Sequence, residues 1–82
     1  MNYQIVIKPK AEKDLKSLSP SNLGRVVERL RWLETDLRGD VKRLSNYFPE
    51  YRMRAGNYRV LFEVAGHEIV VYRILHRKES YR

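Results

Sequence analysis

Arg52 and Arg54 stand two positions apart in the alternating stretch Tyr51-Arg52-Met53-Arg54-Ala55. On an extended strand that spacing puts both guanidiniums on one face, opposite Tyr51 and Met53. Arg59 follows after Gly56-Asn57, a pair suited to a tight turn, so a hairpin brings it alongside. Three guanidiniums on adjacent strands repel one another unless an anion docks among them, and the planar fork of arginine suits bidentate contact with phosphate. His76, Arg77, Lys78 and Tyr81 follow the last apolar stretch. They can return beside the middle strand of the group, bringing cations, an imidazole and a phenol. The plain alternatives are a solvated strand face for Arg52 and Arg54 and a surface histidine at a strand end for His76.

Such a set matches the needs of RNA cleavage without a metal. The substrate's own 2′-OH is then the nucleophile. The protein supplies a base for its proton, cations for the five-coordinate phosphate and an acid for the departing 5′-oxygen. His76 is the conventional acid or base by intrinsic pKa. Tyr81 is the unusual one: its phenol ionises near pH 10 when unperturbed, and neighbouring positive charge favours the phenolate. No pair of Asp or Glu lies in this basic region, so carboxylate–metal chemistry is not expected. The chain has no cysteine, and His67 and His76 alone cannot hold a metal. Neither metal nor cofactor is expected. Tyr47, Phe48 and Tyr51 cluster around Pro49; such rings either pack the loop or, exposed among cations, stack bases. Lys8, Lys10, Lys13 and Lys16 read as a solvated face that extends an RNA-binding surface.

The elements that must position these groups are legible from periodicity. Tyr3, Ile5 and Ile7 alternate with Gln4, Val6 and Lys8, predicting a strand over 2–8. Ala11, Leu15 and Leu18 recur at helical spacing and predict a short helix over 10–18. Ser19-Pro20 is an N-cap with proline at the first helical position. A second helix over 20–35 carries Leu23, Val26, Val27, Leu30, Leu33 and Leu37 on one stripe, with Trp32 on the far side. Gly39 suits the left-handed position after a helix. Three strands follow, over 51–55, 58–64 and 68–75, joined at Gly56-Asn57 and Ala65-Gly66 as an antiparallel meander. The expectation is a single α+β domain over 1–82 of order β-α-α-β-β-β. Its antiparallel sheet carries a two-helix hairpin on one face.

Eighty-two residues allow one small domain with a thin core. Seventeen Lys and Arg against ten Asp and Glu give +7, a balance suited to phosphate backbones, anionic surfaces or an acidic protein. The excess is uneven, +2 over residues 1–41 and +5 over 42–82. No apolar run approaches the roughly 18 residues of a membrane span, and no basic-then-apolar leader opens the chain. A cytoplasmic location is expected, with no membrane partner.

Three strings resemble the RelE-type toxins of the RelE/ParE superfamily. They are Leu44 through Tyr51-Arg52-Met53-Arg54, Gly56-Asn57-Tyr58-Arg59-Val60-Leu61-Phe62-Glu63, and His76-Arg77-Lys78-Glu79-Ser80-Tyr81. The resemblance covers nearly the whole chain and includes the order of elements. It implies the toxin of a type II toxin–antitoxin system, an endoribonuclease (mRNA interferase) that cuts mRNA in the 30S decoding site of the ribosome and so inhibits translation. It also implies a cognate antitoxin, which the charge suggests is acidic or amphipathic. The family's site cations match Arg52, Arg54, Arg59 and Arg77, with Lys78 the second choice for the last, and its C-terminal tyrosine matches Tyr81. Arginine at 52 and 54, where lysine is common, fixes the charge and excludes those positions as the base. Leu75 stands where a glycine often precedes the basic pair. The other branch of the superfamily, gyrase-directed ParE-like inhibitors, shares the fold and is the alternative.

Overall fold

The structure, a computed structural model, describes residues 2–36 and 40–78. Its elements are β1 (Gln4–Ile7), α1 (Pro9–Lys16), α2 (Pro20–Asp36), β2 (Asp40–Arg43), β3 (Tyr51–Ala55), β4 (Tyr58–Ala65) and β5 (Glu68–His76). The five strands form one sheet in the order β1-β5-β4-β3-β2.

The helices form where capping and periodicity place them. Pro9 opens α1 at its first turn. Ser19 caps α2: its Oγ accepts the Asn22 amide at 3.4 Å and its carbonyl accepts the Leu23 amide at 2.8 Å. Ala11 of α1 and Val26, Leu30 and Leu33 of α2 are buried against the sheet. Their sheet partners are Met53 and Ala55 of β3, Val60 and Phe62 of β4, and Ile69, Val71 and Ile74 of β5. Each large side chain among them contributes about 1.5–3 kcal/mol by leaving water. Leu37 and Gly39, expected at the end of α2, lie outside the described residues.

The β3–β4–β5 meander matches expectation, except that its second turn falls one residue later, at Gly66-His67 rather than Ala65-Gly66, because Ala65 still pairs with Glu68. Its two loops, Gly56-Asn57 and Gly66-His67, each begin with a glycine at φ +63°, the sign that two-residue hairpin turns need. Two features differ from the expected sheet. A fifth strand, β2, runs antiparallel to β3 along the far edge, pairing Val41 with Met53 and Lys42 with Arg52. The sheet is mixed, because β1 pairs parallel with β5, from Gln4 opposite Glu68 to Ile7 opposite Val71. The long path through both helices and three further strands makes that parallel return possible.

One irregularity sets the rest of the geometry. Along β4 and β5, Leu61 faces Arg73 but Phe62 faces Val71, leaving Tyr72 as an extra residue in β5. The bulge lets Val71 and Ile74, three apart, both point at the helices. Tyr72 and Arg73 between them take the outer side.

Candidate functional site

The helices cover one face of the sheet, and the cations gather on the other. Registers run straight across it: Arg54 faces Arg59, which faces Leu75, and Lys42 faces Arg52, which faces Leu61 and then Arg73. Directly opposed residues of an antiparallel pair lie about 4.5–5.5 Å apart at Cα, so Arg54 and Arg59 are immediate neighbours. Arg52, diagonal to Arg59, completes the trio expected from spacing alone.

The trio is not uniform. Arg54 is exposed and Arg52 half-buried, whereas Arg59 is only 5% exposed. Arg59 is therefore part of the structural interior of that face rather than the surface group its sequence suggests. It sits on the long central strand β4, hemmed by β3 and β5. A buried guanidinium has its torsions restricted by its neighbours.

The end of β5 brings in Arg77. Its backbone amide donates to the Asn57 carbonyl at 2.7 Å, extending the β4–β5 ladder by one residue beyond Tyr58–His76. Alternation puts position 77 on the side of Leu75 and Arg59. Position 76 lies on the other side: the His76 ring stands edge-on to Tyr58, centroids 5.3 Å apart, and Tyr58 packs on the core. His76 Nδ1 accepts the Lys78 amide at 3.3 Å, so the proton of the neutral ring belongs on Nε2. The structure thus brings Arg52, Arg54, Arg59 and Arg77 to one face and holds the His76 ring away from it. Tyr81 lies outside the described residues.

Arg73 belongs to the same rows but is engaged elsewhere. Its Nε and Nη2 donate to Asp14 of α1 at 2.8 and 3.1 Å, and Asp14 also accepts the Ile74 amide at 2.9 Å. β1 ends at Ile7, opposite Val71, so Asp14 serves the part of the β5 edge that β1 leaves open. Burial raises the Asp14 carboxyl's pKa. The hydrogen bonds from Arg73 and Ile74 and the charge of Arg73 outweigh it and hold the group below the ordinary carboxylate range.

The aromatic cluster divides. Tyr51 turns inward and stacks on Phe62, centroids 5.4 Å apart at 15°. Tyr47 and Phe48 stay out, 69% and 72% exposed. Their loop is tied at several points: the Leu44 amide donates to the Glu50 carbonyl at 2.7 Å, Arg43 Nε to Glu50 at 2.6 Å, and the Glu50 amide to the Glu63 carboxylate. The hydrogen bond and charge of Glu50 raise the Arg43 pKa further. Lys8, Lys10, Lys13 and Lys16 are all exposed, Lys16 within 3.9 Å of Glu12. On the opposite side of the molecule, Trp32 lines a groove of about 360 Å³ with Gly24, Val27, Glu28 and Arg31. The Arg29 guanidinium lies 4.5 Å from the Trp32 ring centroid. No group of His, Asp and Glu suited to a metal ion occurs among the described residues, and no described helix is long and apolar enough to cross a membrane.

Sequence reasoning missed Lys42, which β2 adds to the Arg52 row, and Tyr72, which stands on the outer side of β5. The Lys42-Arg43 pair was a weak signal for the first. The alternation of Ile69 and Val71 was the signal for the second.

A family model described as the ParE toxin of type II toxin–antitoxin systems matches residues 5–81. The chain belongs to this family. It is a RelE-like toxin of the RelE/ParE superfamily. It is 34% identical to a protein named RelE1 of Methanocaldococcus jannaschii, over 98% of this chain and 94% of that one. With toxin RelE3 of the same organism it shares 48% identity over 56% of this chain; the match spans about half (52%) of that relative's length. Among solved structures it is similar to the toxin of the RelB–RelE antitoxin–toxin complex of Methanococcus jannaschii, with 31% identity and TM-score 0.77, covering 93% of this chain and 94% of that one. It is also similar to RelBE2 of Mycobacterium tuberculosis, with 27% identity and TM-score 0.80, covering 94% of this chain and 100% of that one. A ParDE system of P. aeruginosa, at 19% identity and TM-score 0.69 over 90% of this chain and 95% of that one, shares the fold.

Proposed function

We propose that this toxin is a metal-independent endoribonuclease that cuts mRNA on the ribosome and stops translation. The observation that carries the reading is the row of Arg54 and Arg59 at directly opposed positions. Arg52 stands beside them, and Arg77 is tethered to Asn57 at the end of the same face. The 2′-oxygen attacks the adjoining phosphorus while its proton passes to a base. The P–O5′ bond breaks and the 5′-oxygen gains a proton, leaving a 2′,3′-cyclic phosphate and a 5′-hydroxyl. Arg59 and Arg77 meet the charge that builds on the phosphorane, and Arg52 and Arg54 place the strand. Tyr81 is the base in this reading, since the His76 ring is turned to Tyr58. The ribosome supplies the alignment that so sparse a site lacks, a contribution worth several kcal/mol.

The working place is the cytoplasm, where the ribosome is. The similar solved toxins are held in RelB–RelE complexes, and a chain of +7 favours an acidic or amphipathic antitoxin. Inhibition of DNA gyrase is the second reading, favoured by the family model that carries the ParE name.

Induced expression separates the two. Incorporation of labelled amino acids should collapse before DNA synthesis, and mRNA 5′ ends should map to cuts carrying 5′-hydroxyls. Early loss of DNA synthesis with gyrase-linked breaks supports the second reading instead, and 5′-phosphate ends refute the 2′-OH chemistry. Co-expression of the product of the adjacent reading frame should restore growth; failure of any neighbouring product to bind refutes the antitoxin half.

A further inference from the structure

Tyr72 follows inward-facing Val71 and stands on the outer side of β5, at the bulge where this strand carries one residue more than β4. Bulges are common beside functional surfaces. Here the Tyr72 ring meets Phe48 edge-on, centroids 5.0 Å apart at 70°, and the Lys8 ammonium stands 5.7 Å from the Tyr72 centroid. Phe48 reaches this position from the β2–β3 loop and remains 72% exposed. A mobile loop would let so exposed a ring fold away from water. This loop is instead fastened to β4 through Glu50 and Glu63 and to β2 through Arg43 and Leu44. An apolar face is thus kept in water by an anchored support.

We propose that Phe48 and Tyr72 form a stacking seat for one nucleobase of a single-stranded RNA, with Lys8 set to meet the phosphate beside it. The inference rests on the RNA-cleaving reading and names where the strand goes beyond the arginine rows. Position decides for nucleic acid over an apolar peptide. Tyr72 adjoins Arg73, which Asp14 neutralises, and that row continues through Leu61 to the cations Arg52 and Lys42. A ligand that touches Phe48 and follows that row must offer flat π-faces and repeated negative charge together. Single-stranded RNA has both, and base-on-aromatic stacking tolerates any sequence. Tyr51, the third ring of the sequence cluster, has no part in it, being stacked on Phe62 inside.

The test uses the full chain and a tetraribonucleotide carrying 2-aminopurine, whose fluorescence falls when the base stacks. Saturating protein should quench the probe. Phe48→Ala should lose most of that quenching and weaken binding by about ten-fold, within the range for losing one stacked base. Phe48→Trp should retain both. Tyr72→Leu should weaken quenching in the same direction. Arg52→Ala should weaken affinity yet leave the quenching at saturation intact, because it is assigned to phosphate. Circular dichroism checks the fold of each variant, and a ring so exposed can be removed without opening the core. A Phe48→Ala protein that binds and quenches like the parent overturns the seat, as does a parent that binds the probe without quenching it. Should Phe48→Ala leave RNA binding unchanged and weaken antitoxin binding, these rings are a protein contact and the seat is refuted. Mapping of mRNA ends is read separately. Cuts with no Phe48-dependent quenching refute the seat alone, and Phe48-dependent quenching with no cuts refutes cleavage alone.

Discussion

Removing the Asp14 carboxylate should loosen the end of the strand that carries Arg77. Asp14 joins α1 to β5 beyond the reach of β1. It accepts two bonds from Arg73 and one from the Ile74 amide. Its side chain is 18% exposed, that of Arg73 39%. A hydrogen bond to a charged group is worth about 1.5–3 kcal/mol, which applies to the Ile74 amide. The ion pair with half-solvated Arg73 adds only about 0.5 kcal/mol after screening by water. Asp14→Ala should therefore cost about 2–3.5 kcal/mol, or roughly 10–25 °C in Tm for a domain of this size. Asp14→Asn keeps a carbonyl oxygen for the Ile74 amide and loses the charge, so about 1–2 kcal/mol is expected. The pH dependence follows from direction. The folded-state pKa lies below the unfolded value, so the carboxylate's stabilisation is complete above about pH 5 and fades as pH falls through the folded pKa. Urea melts of the parent and Asp14→Asn should differ by a constant amount from neutral pH to about 5, and the gap should narrow below that. A gap that persists unchanged into strong acid refutes the charge contribution. An Asp14→Ala protein that melts within about 2 °C of the parent refutes the whole assignment.

Arg59→Ala should lower both stability, by about 1–2 kcal/mol because a buried side chain is deleted, and single-turnover cleavage, by roughly 100- to 1,000-fold. Thermal melts and quenched-flow cleavage on programmed ribosomes measure the two, and a variant that is unstable but fully active removes Arg59 from the chemistry. Tyr81→Phe, which deletes only the hydroxyl, should cost at least about 100-fold in the same cleavage assay. Full activity there excludes Tyr81 as the base and makes His76→Gln the next variant. Gly56→Ala and Gly66→Ala both force a side chain onto φ +63°, and each should cost about 1 kcal/mol by chemical denaturation. At Gly56 the new Cβ meets the Arg25 side chain at 2.8 Å, but that chain is long and can yield, so the two losses should differ by less than about 0.5 kcal/mol.

How far the sequence spoke depended on whether a feature was local. The Ser19 cap, the Val26–Leu30–Leu33 stripe and the Gly56-Asn57 hairpin are written in neighbouring residues, and each forms as expected, while the second hairpin turn forms one residue beyond its expected place. β2 escaped notice because an edge strand needs little: in Asp40-Val41-Lys42-Arg43 only Val41 packs against the core. The parallel pairing of β1 with β5 has no local trace, since alternation marks a strand and not its neighbour. Arg59 looked like a surface cation because one arginine after a turn carries no mark of depth. Leu61 and Glu63, on the same face of β4, are only half-buried, so the depth of Arg59 is particular to its own position.

The bulge at Tyr72 has the widest consequence for the candidate site. Without the bulge, strict alternation from Ile69 and Val71 would turn Arg73 and Leu75 toward the helices and put Ile74 and His76 on the outer face. The imidazole would then stand beside Arg59, and position 77 would point away. With it, Ile74 fills the core, the His76 ring rests on Tyr58, and the Arg77 position falls in line with Arg59. The bulge thus selects a guanidinium over an imidazole at the end of the cationic face, while Tyr72, next to inward-facing Val71, stands outward in either geometry. An arginine cannot act as a base near neutral pH. In the proposed cleavage the proton from the 2′-OH therefore goes to a group other than these arginines, Tyr81 first and His76 next. Relatives of the same fold need change only the outer side chains to serve another target, since the core between helices and sheet makes no demand on that face.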